Sequence, residues 1–335
     1  MSFKIISCDG GGIRGLITAL FIQDLDQHSQ ILENVDGFAG TSTGGLLALA
    51  LVNGVPIEQI INMYMTQGST IFEPNGWLIA QEAASQQPPL DSALGSGPGF
   101  LSSQYKNDGL LTVAKHLLGS TPLSAAKRFV AINSARLWDG NSWMPATFSN
   151  TSSSAYPGIS MVDAALATSA APTYFPPYRV AGANYDYGFF ADGGVFANNP
   201  AMTAIAEAVA SGLVSSVGDI KLLSLGTGSS PQGIPPAVIG NPLKWGVSSW
   251  LHPWASGTVP AMPLLNLTMD TTAELVRIQT EQILGGNAMR ANLPLGRPYA
   301  LDDWKHVADL AAEATSYMKT DAWQGVRDWV SSNWS

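Results

Sequence analysis

Gly40-Thr41-Ser42-Thr43-Gly44, followed directly by the apolar run Leu46 to Val52, is the stretch on which the reading of this chain turns. A serine pushed clear of its own backbone needs a sharp strand-to-helix turn. Residues two before and two after it then crowd one another unless they lack a Cβ. Gly40, Gly44 and Gly45 meet that demand. The plainer alternative is a loop that opens a helix, with Thr41, Ser42 or Thr43 accepting a backbone N–H as cap. Other segments must decide between the two.

Working outward to the N-terminus, Phe3 to Cys8 is a short apolar run that breaks at Asp9-Gly10-Gly11-Gly12, and Arg14 to about His28 then carries apolar residues at mostly helical spacing. Strand, glycine loop and helix are followed by a second apolar step, Gly37-Phe38-Ala39, that leads into the serine turn. Two strand-turn-helix units in succession predict a parallel α/β sheet. Gly10 to Gly15 also matches G-x-G-x-x-G, and Asp36 follows at the distance of a ribose partner, so a nucleotide-dependent oxidoreductase is an alternative. Against it, Asp36 stands before the second apolar step instead of ending it. Consecutive glycines at a helix start aim backbone N–H groups at any anion, the oxyanion of acyl transfer included.

Towards the C-terminus, Pro56 to Thr66 and Leu110 to Leu118 read as helices around an aperiodic, proline-containing loop over 73–107, a length usually functional or mobile. Arg128 to Ala135 and Ser142 to Phe148 read as strands joined by the turn Trp138-Asp139-Gly140-Asn141. A short helix from Met161 to Thr168 precedes Ser169-Ala170-Ala171-Pro172, whose small side chains let a helix end lie close to another element. The strand Phe189 to Ala191 delivers Asp192-Gly193-Gly194; Asn198-Asn199-Pro200 starts a helix over Ala201 to Ala210, and Ile220 to Leu225 is a further buried strand ending at Gly226-Thr227-Gly228.

In order and spacing, CDGGGIRG, GTSTG, SAAP and ADGG resemble the patatin-like phospholipases across residues 3 to 228. The resemblance implies a three-layer α/β/α sandwich with a mainly parallel central sheet. It implies a serine acyl hydrolase that cleaves fatty-acyl esters of glycerolipids through an acyl-serine intermediate and a Ser-Asp dyad. By position, Ser42 is the nucleophile, Asp192 the base, and the backbone of Gly10, Gly11 and Gly12 the oxyanion hole. Arg14, from the glycine motif, and Thr43 are the supporting residues; the other reading of Arg14 is a helix-start charge paired with a carboxylate such as Asp9. Phe189, Phe190, Val195 and Phe196 are the apolar walls expected to raise the Asp192 pKa. A non-catalytic storage or interaction protein on the same fold is a further alternative.

The chain has 335 residues, 46% of them hydrophobic and 12% charged, with a net charge of -9 from 25 acidic and 16 basic side chains. So acidic a chain is a poor nucleic-acid partner. Cys8 is the sole cysteine, which excludes a disulfide framework and a thiolate metal cluster. No cofactor or metal is expected. Lys4 and Asp9 leave too short an apolar run for a signal peptide, and no run reaches a membrane span, so a cytoplasmic protein is expected, peripheral at membranes if attached to them. A single patatin-like domain over 1–335 is expected, with a catalytic core over 1–228 and a helical and loop extension over 229–335 packed on it. Within the extension Leu264 to Ile283 and Asp303 to Met318 have helical periodicity. From Leu222 to Met269 only Lys244 is charged, while Trp245, Trp250 and Trp254 recur, a composition that suits either contact with lipid or burial in a core or dimer contact. The histidines are His28, His116, His252 and His306. The order Ser42, Asp192, then His252 or His306 is that of an α/β-hydrolase triad, but neither follows a strand end, and the dyad is preferred.

Overall fold

Four strands, β1 (Phe3–Cys8), β2 (Gly37–Thr41), β3 (Phe129–Arg136) and β7 (Ile220–Leu225), alternate their side chains between two cores. Ile6, Cys8, Phe38, Val130, Ile132, Leu223 and Leu225 face one core; Ile5, Ala39, Phe129, Ala131, Ile220 and Leu222 face the other. A strand apolar on both faces must be covered on both. The protein, described here by a computed structural model over residues 2–75, 103–252 and 254–334, does so with helices on each side of the sheet. The larger core takes α1 (Gly15–Ser29), α2 (Thr43–Val52), α3 (Ile57–Thr66), α4 (Asn107–Leu118) and α5 (Met161–Thr168). The smaller core takes α6 (Ala201–Ala210) and the end of α7 (Pro263–Leu284). This is the expected three-layer α/β/α arrangement.

The remaining strands are β4 (Met144–Ser149), β5 (Tyr178–Gly182), β6 (Tyr185–Asp192) and β8 (Ala288–Ala291). The sheet runs β5-β6-β3-β2-β1-β7-β8, with β4 also on β3. The β2–β3, β1–β2, β1–β7 and β7–β8 pairs are parallel; β3–β4, β3–β6 and β5–β6 are antiparallel. Because β4 occupies one edge of β3, β2 and β6 share the other. β2 pairs with residues Phe129 to Asn133 and β6 with Ser134 to Arg136. The two strands therefore run head-on, and their C-terminal ends meet beside Asn133 and Ser134.

Residues 229–334 contribute β8 to the sheet edge, and α8 (Val307–Tyr317) and α9 (Asp321–Asn333) to the helical layer, where Leu310, Ala314, Trp323, Val326 and Val330 are buried in the larger core. β5, β8 and α9 are not among the sequence-based expectations, and β6 begins four residues earlier than the expected Phe189. Of the loop expected over 73–107, residues 76–102 lie outside the described residues.

Candidate active site

Ser42 closes β2 and takes the cap position of α2, yet its side chain makes no cap hydrogen bond. The helix-cap alternative is thereby removed, and the hydroxyl is left for other use. Its backbone sits at φ 55, ψ −126, outside the regions open to L-residues, a strain of about 1–3 kcal/mol that the surroundings must hold. The expected crowding is present: a Cβ on Gly40 would lie 2.3 Å from the Gly44 carbonyl oxygen, and one on Gly44 would lie 2.1 Å from that of Cys8. The Ser42 N–H donates to Thr168 Oγ1 at 2.8 Å, and the same hydroxyl donates to the Asn133 carbonyl at 2.5 Å. Thr168, at the end of α5, thus ties the strained residue to β3; sequence reading did not single it out.

Asp192 arrives from the opposite direction at the end of β6. The Asp192 N–H donates to the Ala170 carbonyl at 2.9 Å, which is the close approach that Ser169-Ala170-Ala171 permits. The Ser134 hydroxyl donates to the Ala191 carbonyl, and the Thr41 hydroxyl to that of Ala197, so the two strand ends are fastened to each other's surroundings. Ser42 is 7% and Asp192 2% exposed. Gly194 N–H donates to Asp192 Oδ1 at 2.7 Å, while Oδ2 is buried without a partner. Burial pushes the Asp192 carboxyl up to about 7, against the opposing influence of the neighbouring Ser42 hydroxyl and the Gly194 N–H. No hydrogen bond of full geometry joins Ser42 to Oδ2; such contacts commonly tighten only around substrate. Of the expected walls, Phe190 is buried and Val195 half-buried, but Phe189 and Phe196 are exposed, which corrects the expectation at those two.

The glycine loop lies against Ser42: a Cβ on Gly10 would sit 3.2 Å from the serine Cβ. Gly10 N–H donates to the Asn198 carbonyl at 3.0 Å, so of the three expected donors Gly10 is already paired, which corrects the expectation at that residue. Neither the Gly11 nor the Gly12 N–H has an acceptor among the described residues. Arg14 is buried and does not pair with Asp9. Its Nε donates to the Gly11 carbonyl and its Nη1 to Ser230 Oγ, and burial lowers its pKa. Asp9 is held instead by Arg290 of β8, whose Nη1 and Nη2 reach its two oxygens at 2.9 and 2.5 Å; burial still raises the Asp9 pKa. The Thr43 hydroxyl and the Tyr64 hydroxyl are 2.6 Å apart, which anchors the first turn of α2 to α3.

Ser42 and Gly12 open onto a mainly apolar cleft walled by Ile13, Leu46, Ile71, Phe72, Leu110, Phe175 and Leu301. Its apolar walls place Ser42 beside hydrocarbon side chains. Among the described residues no histidine lines it or bonds to Ser42 or Asp192: His28 contacts the Asp24 carbonyl, His252 stacks on Trp254, and His306 meets Asp303. Asp36 stands before β2, where it accepts the Lys4 N–H. Since β1 and β2 are parallel, that is the edge of the sheet away from the glycine loop, and the ribose-binding alternative has no support. The three tryptophans are not in the core. Trp245 and Trp250 pack edge to face, Trp254 is 48% exposed, and Leu243 beside them is 95% exposed. No helix among the described residues is long and apolar enough to cross a membrane.

The sequence model of the patatin-like phospholipase family matches residues 6–205. The chain is 29% identical to probable inactive patatin-3-Kuras 1 of Solanum tuberosum over 74% of its own length and 68% of that protein's. It is 27% identical to patatin-like protein 4 of Arabidopsis thaliana, covering 82% and 71% of the two chains. A cGAMP-activated phospholipase of Escherichia coli (strain TW11681) is also 27% identical, over 76% and 69%.

Proposed function

Because the chain belongs to the patatin-like phospholipase family, whose general chemistry is lipid acyl-ester hydrolysis, we propose that it is a serine acyl hydrolase of glycerolipid esters working through a Ser42–Asp192 dyad. The observation that carries this reading is Ser42, held in a strained turn with its hydroxyl uncapped, beside the unpartnered Asp192 Oδ2. Asp192 Oδ2 takes the proton from Ser42 Oγ as the oxygen attacks the ester carbonyl carbon. The carbonyl oxygen becomes an oxyanion facing the Gly11 and Gly12 N–H groups. Collapse expels the alcohol, which carries the proton away from Asp192 and leaves an acyl-serine. Water, activated by the same carboxylate, then attacks the acyl carbon and releases the fatty acid and Ser42. The dyad needs no third residue, since one carboxylate both accepts and returns the proton.

Hydrolysis of a p-nitrophenyl ester tests the assignment. Ser42→Ala abolishes turnover if the reading is right, and activity that survives removes Ser42 from the mechanism. Replacing any one of the four histidines by alanine leaves turnover within about tenfold, a barrier change of no more than roughly 1.4 kcal/mol. A thousandfold loss in a folded His252→Ala or His306→Ala protein replaces the dyad with a triad.

The proposal extends to the partner surface and to the organisation of the chain. The tryptophan-bearing segment, with Lys244 its single charge and Leu243 and Val247 its most exposed apolar side chains, suits contact with a lipid surface, and we place the protein in the cytoplasm, peripheral at membranes. Leu243→Asp is expected to weaken vesicle binding without changing turnover of a soluble ester. Residues 1–335 form one domain, with 1–228 the catalytic core and 229–335 the extension; the β7–β8 pairing and the burial of α8 and α9 in the larger core support this.

A further inference from the structure

Resting on that hydrolase reading, we propose that Thr227 is a positioning residue that aims the oxyanion-hole N–H groups. Its hydroxyl donates to the Gly10 carbonyl at 2.8 Å, a buried contact across the sheet from the end of β7 to the glycine loop. In a planar trans peptide the C=O of one residue and the N–H of the next point in opposite directions. A donor fixed on the Gly10 oxygen therefore turns the Gly11 N–H away from Thr227, and no acceptor among the described residues takes that N–H. Arg14 repeats the device one peptide further on, where its Nε on the Gly11 oxygen sets the direction of the Gly12 N–H.

Thr227 is built to hold a plane. Gly226 N–H donates to the Ala291 carbonyl, Thr18 Oγ1 donates to the Gly226 carbonyl, and Gly228 N–H donates to Asn292 Oδ1, so the residue is fastened on both flanks. It also approaches the loop so closely that a Cβ on Gly11 would lie 2.2 Å from its Oγ1. Oxyanion donors work because they are oriented before charge develops. An unheld peptide would have to reorganise as the oxyanion forms, so loss of the clamp raises the barrier while leaving binding of the neutral ester alone.

Thr227→Ser, Thr227→Ala and the near-isosteric Thr227→Val, each checked for folding by circular dichroism, separate the hydroxyl from the packing. Deleting a whole oxyanion donor costs about a hundredfold to a thousandfold in kcat. Loss of aim is expected to cost less, about tenfold to a hundredfold in Ala and Val, with KM within about twofold; Ser is expected to stay within about threefold of the parent. If Val does not fold, the Ser and Ala pair, alike in size, still isolates the hydroxyl. Equal losses in Ser and Ala, or kcat within about threefold in Ala and Val, overturn the assignment while the hydrolase reading stands on the activity of the parent. A parent that neither turns over ester nor labels with a fluorophosphonate overturns both.

Discussion

A carboxylate that must accept a proton from a serine works best when its pKa lies near the operating pH, and burial places Asp192 there, at about 7. Two consequences follow at this one residue. The ascending limb of kcat/KM against pH is expected to centre near pH 7; a limb centred near 4 would mean that Asp192 is not the base. Stability runs the other way. The folded protein binds the Asp192 proton more tightly than the unfolded chain, so this contribution is complete below about pH 4 and is lost as pH rises through 7. A displacement from 3.8 to about 7 corresponds to about 4 kcal/mol at most. Asp192→Asn is therefore expected to be inactive yet to melt higher than the parent at pH 8, with the difference gone below about pH 4. Melting curves that coincide at both pH values would contradict the burial argument.

Among the elements, the site depends on two strands meeting end to end along β3, and on β8 pinning the start of the glycine loop through Arg290. In that ion pair Asp9 is buried and Arg290 is 12% exposed, and removal of the arginine strands a buried carboxylate. Arg290→Ala is expected to cost about 3–5 kcal/mol in urea denaturation, and a loss below about 1 kcal/mol would show that Asp9 finds another partner. Sequence reading found β1, β3 and β7 because each is an apolar run closed by glycine or a polar turn, and β2 because the short step Gly37-Phe38-Ala39 leads into the glycine-flanked Ser42. It did not find β8, where Ala288–Ala291 is only four residues long and carries Arg290 in its middle, nor β5, which lies between prolines and the Gly182-Ala183-Asn184 turn. Those two strands exist because neighbours are already in place, a tertiary cause that local pattern does not record. For the same reason local pattern does not record the direction of β6, which is antiparallel to β3 and brings its C-terminal end to Ser42 from the opposite direction.

Across the whole molecule, the sheet divides labour between its ends: glycine loop, serine turn and aspartate share one edge, and Asp36 is left at the other. Ser42 and Asp192 were legible because glycine must flank a strained turn and because both stand at the ends of readable strands. Thr168, Thr227 and Arg290 were not. Each acts on a backbone group or carboxylate over a hundred residues away, and nothing in its own neighbourhood marks it. The outer surface of the extension carries the remaining expectation, that vesicles shift tryptophan emission to the blue during turnover; unchanged emission would assign those rings to another contact.

The central claim is that one serine, Ser42, is the nucleophile of an acyl hydrolase. Labelling with a fluorophosphonate followed by peptide mapping tests it most directly. One label per chain is expected on Ser42, with none on Ser42→Ala and a much slower reaction in Asp192→Asn. A folded chain that takes no label, or takes it on another serine at the same rate when Ser42 is gone, contradicts the account.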